Sequence, residues 1–174
     1  DAHTHVGWDV LRTGQMGAET YTRENLIDHL RREAYYGIAA VQSMGIDRGD
    51  IPYDVRAHPV PDGALLHTAG RGMALPMREL AAKKVDLVKI WVDDRDGTVP
   101  KLPPNVYRAV IDEAHKHGLR VAAHIYYLAD AKELLRSGID IFAHGVRDRD
   151  IDAEGMALFK QHPNVYVIPN PVSY

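Results

Sequence analysis

The sequence predicts an α/β fold in which parallel strands alternate with helices, and three observations carry this prediction. Apolar stretches rich in β-branched residues recur along the 174-residue chain, with helical patterns between them. Several of these stretches are apolar almost throughout, as in strands buried on both faces. No glycine-rich phosphate loop follows any of them. The pattern fits either a doubly wound sheet or an eight-fold β/α barrel.

Six strands are predicted from these apolar stretches. They cover residues 37–44, 64–69, 85–92, 119–125, 139–144 and 164–168. The first helix, over 22–37, has Thr22 as its expected N-cap, and a second, over 103–118, begins at prolines and stops at Gly118. Shorter helical patterns occupy 130–138 and 151–161. Strand and helix therefore alternate along most of the chain.

The composition excludes several classes of function. Hydrophobic residues make up 45% of the chain and charged residues 26%, which is the balance of a globular domain. The net charge is -3, without a basic cluster, so we expect no nucleic-acid or membrane partner. There are no cysteines, and any transition metal must therefore be held by nitrogen and oxygen ligands. The oligomeric state, a homo-oligomer included, and the cellular compartment stay open.

Polar residues of metal-ligand type stand where strands end. His3 and His5 are separated by one residue at the start, Lys89 lies near the end of an apolar strand, and His124 and His144 end two more. A lysine inside an apolar strand is costly unless it is paired or chemically changed. In a barrel, the carboxyl ends of the strands carry the chemistry. The occurrence of these residues at successive strand ends therefore favours the barrel over the doubly wound sheet, and it favours a metal site.

The motifs "DAHTH", "DLVKIW", "VAAHIYY" and "IFAHGV" resemble the amidohydrolase superfamily, whose members are metal-dependent hydrolases on a (β/α)8 TIM-type barrel. The surrounding sequence is most similar to the imidazolonepropionase-like, prolidase-like branch. That branch includes dipeptidases, carboxypeptidases and other amide or carbamate hydrolases. The resemblance implies a hydrolase acting on an amide-type C–N bond of a small molecule or short peptide.

The resemblance also implies a binuclear metal centre. His3 and His5 would hold one divalent ion and His124 and His144 a second, with Lys89, carbamylated by carbon dioxide, bridging the two. Imidazole and carboxylate-like ligands suit zinc, and manganese, cobalt, iron and nickel stay open. A hydroxide bridging the ions would attack the polarised carbonyl. Lys89 and His144 would be the catalytic members of this set.

Two aromatic residues are candidate substrate contacts. Tyr126 shares a strand face with His124 by alternation, and the resemblance implies that it meets a substrate carboxylate. Trp91, two residues beyond Lys89, would form a wall of the same pocket. Plain packing is the alternative for both. The expected partner is a small-molecule or dipeptide-like substrate.

The chain departs from a complete barrel of this family. A full barrel takes about 250 residues, whereas six strands here supply about strands 2–7 and the end of strand 1. The body of strand 1, strand 8 with its aspartate, and part of the segment near 73–77 are expected to be missing. We therefore expect residues 1–174 to form one catalytic barrel domain that is incomplete.

Two other functions fit part of this pattern. A histidinol-phosphatase-like phosphoesterase also opens with H-x-H on a β/α barrel, although Lys89 in its strand argues against it. A non-catalytic metal-binding barrel is the second alternative. An aspartate at the end of a further strand would favour the hydrolase.

Overall fold

The computed structural model describes residues 1–72 and 76–169, which form two compact units. The first unit spans Asp1–Asp86 and the second begins at Leu87. Both combine parallel strands with helices, so the predicted α/β fold is confirmed. No helix in the described part of the chain is long and apolar enough to cross a membrane.

The first unit opens with a small antiparallel hairpin that the sequence pattern did not predict. Strands β1 (Asp9–Val10) and β2 (Gln15–Met16) pair around a turn in which Gly14 adopts a positive φ of 70°. A 3-10 helix, Ala18–Thr20, follows. Strands of two residues are too short to show an alternating pattern, so they leave no periodic signal.

Helix α1 (Arg23–Tyr35) confirms the first predicted helix. The Thr22 hydroxyl accepts a hydrogen bond from the Asn25 backbone N–H at 3.2 Å, which is the expected N-cap. Leu26 and Leu30, one turn apart, are buried against the sheet side of the unit. The helix is therefore fixed at its start by its cap and along its length by the core.

A parallel pair of strands forms the centre of the first unit. Strands β3 (Ala40–Ser43) and β4 (Leu65–Thr68) lie in register, and Thr4 makes a parallel bridge to Ser43. Two short helices, α2 (Ile51–Ala57) and α3 (Met77–Ala82), complete the unit. Its core cluster consists of Val6, Leu26, Leu30, Val41, Val55, Ala64 and Leu66.

The second unit is a four-stranded parallel sheet with three helices. The strands are β5 (Val88–Val92), β6 (Val121–Ile125), β7 (Ile141–Phe142) and β8 (Tyr166–Val167), paired in that order. The helices are α4 (Pro104–Lys116), α5 (Leu128–Arg136) and α6 (Ala153–Gln161). Each helix connects one strand to its parallel neighbour, as βαβ units require.

The register between β6 and β7 is fixed at their start by Asp140. Its Oδ2 accepts the Val121 backbone N–H at 2.8 Å and lies 2.8 Å from Nε2 of His115 at the end of α4. One carboxylate thus links two strands and a helix. Two of the predicted metal ligands depend on these strands, since β6 carries His124 and β7 leads to His144.

All six predicted strands are present, although each is shorter than the pattern indicated. Helices α2 and α3 were not predicted, because seven and six residues give too little periodicity. The predicted gap near 73–77 falls partly on residues 73–75, which lie outside the described residues, and helix α3 begins at Met77. In the described residues neither parallel sheet closes on itself.

Candidate functional site

Lys89 is buried within the sheet of the second unit. It is fully inaccessible to solvent, and its register partner on β6 is Ala122. The prediction that it lies near the strand end needs correction, because β5 begins at Val88, three residues later than expected, so that Lys89 is the second of five residues. Its Nζ makes no hydrogen bond to any residue that the structure describes.

Burial changes the acid–base chemistry of Lys89. Burial alone lowers the pKa of the amine to about 7 from an ordinary value of 10.5. A large share of the amine is therefore neutral near physiological pH. A neutral amine has a free lone pair, and it can act as a nucleophile where an ammonium ion cannot.

Trp91 lies on the same strand face as Lys89. The lysine Nζ is 5.7 Å from the centroid of the Trp91 ring, and Trp91 is paired in register with His124 on β6. The indole is half-buried. It therefore lies next to both the amine and His124, and its role as a pocket wall stays a prediction.

His124 and His144 form a contacting pair. Their ring centroids are 4.2 Å apart with the planes at 68°, and His144 stands two residues beyond β7 with 8% of its surface exposed. Burial, and then the positive charge of Lys89, lower the pKa of His124 to about 4. His124 is thus a neutral imidazole at physiological pH, the form that ligates metals. The structure brings these two histidines and Lys89 together.

His3 and His5 lie in the first unit, where they form a pair of their own. Their ring centroids are 5.2 Å apart and the rings are nearly perpendicular, at 87°. Thr4 between them bridges to β3, so both histidines flank a residue that is held in the sheet. The Asp1 carboxylate accepts the His3 backbone N–H at 2.8 Å and fixes the chain there. The H-x-H spacing therefore does produce two neighbouring imidazoles.

Asp93 is a site residue that the sequence interpretation missed. It directly follows β5, and its Oδ2 is 3.1 Å from Nε2 of His124. Only 12% of the Asp93 side chain is exposed. The available signal was its place immediately after the strand that contains Lys89. That signal is masked by Asp94 and Asp96, which make the segment resemble a solvated turn.

Tyr126 lies one residue beyond β6 and is half-buried. The Arg147 guanidinium carbon is 5.0 Å from the centroid of its ring, and Arg147 also donates to the Ile125 carbonyl at 3.1 Å. The Arg147 backbone N–H donates to the Tyr126 carbonyl at 2.9 Å. The phenol and a cation are therefore held on the segments that follow β6 and β7.

The side chains around Lys89 and the histidines can be compared with the ligands that a divalent metal ion needs. Within residues 1–72 and 76–169, no group of three or more His, Asp or Glu side chains is arranged to hold a metal. Lys89 is the residue that could supply an additional, anionic ligand. A buried amine without a hydrogen-bond partner in the described residues would become, once carbamylated, an anion with two oxygens beside a neutral imidazole. The residues therefore fit a metal centre only if the lysine is modified.

The chain is similar to other proteins both in sequence and in fold. No family model matches the chain. Uncharacterized proteins of Mycobacterium tuberculosis and Mycobacterium bovis are 34% identical over 195 residues, an alignment that covers 96% of this chain and 48% of each relative. The chain thus spans about half the length of the curated relatives that it matches.

Several solved structures of other proteins have the same fold as this chain. A Xaa-Pro dipeptidase with bound methionine in its active site matches with a TM-score of 0.75 at 20% identity, covering 97% of this chain and 52% of that one. Molinate hydrolase matches with a TM-score of 0.76 at 16% identity, covering 98% and 50%. A structure described as an amidohydrolase matches with a TM-score of 0.75 at 20% identity, covering 100% and 53%. The chain shares its fold with these hydrolases, as the resemblance found in its motifs predicts.

Proposed function

We propose that this chain is part of a (β/α)8 barrel, supplying about strands 2–7 and the end of strand 1, and that the barrel is a metal-dependent hydrolase. The substrate would be an amide-type C–N bond in a small molecule or short peptide. One observation carries the proposal: the Lys89 amine is fully buried, has no hydrogen-bond partner in the described residues and lies beside His124. A purely structural role does not account for a buried amine of this kind, because a buried polar group without a hydrogen-bond partner in the described residues is costly.

Carbamylation of Lys89 resolves that cost. The Nζ lone pair adds to the carbon of carbon dioxide, an N–C bond forms, and the proton that the nitrogen loses passes to solvent. The product carries one negative charge shared by two oxygens. That charge is stable in a buried site only if cations neutralise it, so modification and metal binding support each other.

The proposed ligands in the second unit are Lys89, His124 and His144, and the first unit has a candidate pair of its own, His3 and His5. All four histidines belong to contacting pairs of rings. Zinc suits imidazole and carbamate donors best. When bound, two such ions supply Lewis acidity, which acidifies water and polarises a carbonyl.

The other residues of the second unit would bind and orient the substrate. Trp91 would cover the amine side of the pocket, and Tyr126 would meet a carboxylate of the substrate, supported by the neighbouring charge of Arg147. His144, nearly buried against His124, would hold its position without large motion. These roles are supported by the contact of Lys89 with Trp91, of Tyr126 with Arg147, and of His124 with His144.

The names of structurally similar proteins agree with C–N bond hydrolysis. They include the Xaa-Pro dipeptidase and molinate hydrolase, and also a phenylurea hydrolase, at a TM-score of 0.70 and 14% identity. Their names give different substrates, and hydrolysis of a C–N bond is what they share. This common feature supports the class of bond more than any one substrate.

The test is hydrolysis by the full-length protein loaded with zinc or manganese. The panel should contain dipeptides, N-acyl amino acids, carbamates, aryl ureas and, as a contrast, phosphate monoesters. We expect turnover of at least one C–N substrate, loss on chelation and recovery when metal is restored. Turnover of phosphate esters alone would favour the phosphoesterase, and metal binding with no turnover in the panel would favour the non-catalytic barrel.

A further inference from the structure

We propose that Asp93 is a positioning residue that holds the His124 imidazole in the tautomer protonated at Nε2, which leaves Nδ1 as the metal-binding nitrogen. This inference rests on the proposed function, because it assigns a role around a ligand named there. It concerns a residue that the motifs of the sequence did not include. The proposal names one ring nitrogen of His124 as the metal ligand and the Asp93 carboxylate as the group that selects it, and both assignments can be tested.

The contact itself determines the tautomer. Asp93 Oδ2 is 3.1 Å from Nε2 of His124, with 12% of the aspartate and 23% of the histidine side chain exposed. An ionised carboxylate can only accept hydrogen bonds, so the nitrogen that faces it must carry the proton. A neutral imidazole has a single N–H, and the lone pair is then on Nδ1. Ligand histidines in proteins commonly donate their other N–H to a carboxylate in this way.

A backbone hydrogen bond next to Asp93 orients its carboxylate towards His124. The Arg95 backbone N–H donates to Asp93 Oδ1 at 3.0 Å, which occupies one oxygen and turns the other towards the imidazole. The neighbouring Asp94 is used elsewhere, since its Oδ1 accepts the Tyr127 hydroxyl at 2.9 Å. Two adjacent aspartates therefore have separate partners, and Asp94 offers a matched control.

The first experiment reads the tautomer in the metal-free, full-length protein. Histidine labelled with ¹⁵N gives ring shifts that distinguish Nδ1–H from Nε2–H, and the His124 signals are identified by their loss in His124→Asn. We expect the Nε2–H form in the wild type and a mixture in Asp93→Ala. Asp94→Ala should keep the wild-type pattern. A wild-type ring protonated at Nδ1, or no change in Asp93→Ala, would overturn the proposal.

The second experiment measures affinity for Zn²⁺ by competition with a chromophoric chelator, with bicarbonate present throughout. Loss of such an outer carboxylate typically weakens metal binding by about 10–100-fold, and we expect this for Asp93→Ala. Asp93→Asn can still accept one hydrogen bond but must present its amide N–H₂ to the other partner, so it should fall between. Asp94→Ala should bind as the wild type does. Equal affinity in Asp93→Ala and the wild type would contradict the role.

These results separate the inference from the function on which it rests. A wild-type protein that binds no divalent ion would overturn the metal-dependent hydrolase, while the tautomer measurement would still decide whether Asp93 orients His124. Loss of one entire metal equivalent in Asp93→Asn would mean that Asp93 is itself a ligand, which also contradicts the positioning role. Circular dichroism of each variant checks that it folds. If Asp93→Ala does not fold, Asp93→Asn, the smaller change, replaces it in both experiments.

Discussion

The imidazoles of His124 and His144 contact each other with their ring centroids 4.2 Å apart, although they come from different strands. The contact exists because β6 and β7 are parallel neighbours and both residues lie at the carboxyl end of the pair. Lys89, on the other neighbour of β6, adds an amine that is buried and close enough to depress the pKa of His124. Three adjacent strands thus contribute one functional group each.

Replacement of Lys89 by alanine is expected to reduce both metal content and hydrolysis. The variant loses the only group among the proposed ligands that can become anionic. A small carboxylic acid such as propionate should partly restore both properties, because it can occupy the space left by the side chain. The measurement is metal per protein by mass spectrometry together with turnover.

The control for this experiment is Lys160→Ala, which removes an exposed lysine from helix α6. It should leave metal content and turnover unchanged. If Lys89→Ala kept full metal occupancy and full turnover, the proposed bridge would be wrong.

The free energy of unfolding of the metal-free protein should depend on pH through Lys89. The amine has a pKa of about 7 in the fold and an ordinary value of 10.5 when exposed. Below pH 7 both states are protonated and the cost of burying the charge is fully present. Between pH 7 and 10.5 the unfolded state binds more protons, so stability should rise with pH, by at most about 1.4 kcal/mol per pH unit from this group.

Chemical denaturation in carbon-dioxide-free buffers at pH 7, 8 and 9 measures this dependence. Lys89→Met, which keeps the length of the side chain without the charge, should lack that contribution, and the difference between the two proteins isolates it. Parallel pH profiles for the wild type and Lys89→Met would show that burial does not depress the pKa of this amine.

The candidate members of the site were easier to recognise in the sequence than the residues that support them. Lys89 was recognisable because a lysine in an apolar strand contradicts its surroundings, and His124 and His144 because they stand at the ends of predicted strands. Asp93 was harder to recognise, since its partner His124 is 31 residues away and only the pairing of β5 with β6 brings them together. The short elements β1, β2, α2 and α3 were missed for a different reason, because their length gives no periodicity.

Tyr126→Phe tests the proposed contact with a substrate carboxylate. Removal of a hydroxyl that bonds a charged group costs about 1.5–3 kcal/mol, which predicts a rise in KM of roughly 10–100-fold. The effect should appear for substrates with a carboxylate and not for neutral ones, with kcat little changed. Steady-state kinetics on a matched acid and amide pair measures it.

Tyr166→Phe is the matched control, because it removes a hydroxyl from a tyrosine that is 61% exposed. It should change KM for neither substrate. An equal KM for the acid in Tyr126→Phe and the wild type would assign Tyr126 to packing alone.

Asp47→Ala should destabilise the first unit. The Asp47 carboxylate is 1% exposed and accepts hydrogen bonds from the hydroxyls of Tyr21 at 3.0 Å, Ser43 at 2.5 Å and Thr68. The variant leaves three buried donors without their acceptor, and each such group costs about 1–3 kcal/mol. Urea denaturation should show a loss of at least about 2 kcal/mol, whereas the exposed Asp112→Ala should stay within about 0.5 kcal/mol. Equal stability of the two variants would contradict the importance of this network.

The most direct test of the central claim is an anomalous difference map at the zinc absorption edge, from crystals of the full-length protein grown with zinc and bicarbonate. The proposal predicts an anomalous peak in contact with His124, His144 and a Lys89 side chain extended by the density of a carboxylate group. Nitrogen–zinc distances should be about 2.0–2.1 Å. Zinc bound only elsewhere, or a zinc-loaded site in which Lys89 remains an unmodified amine, would contradict the account.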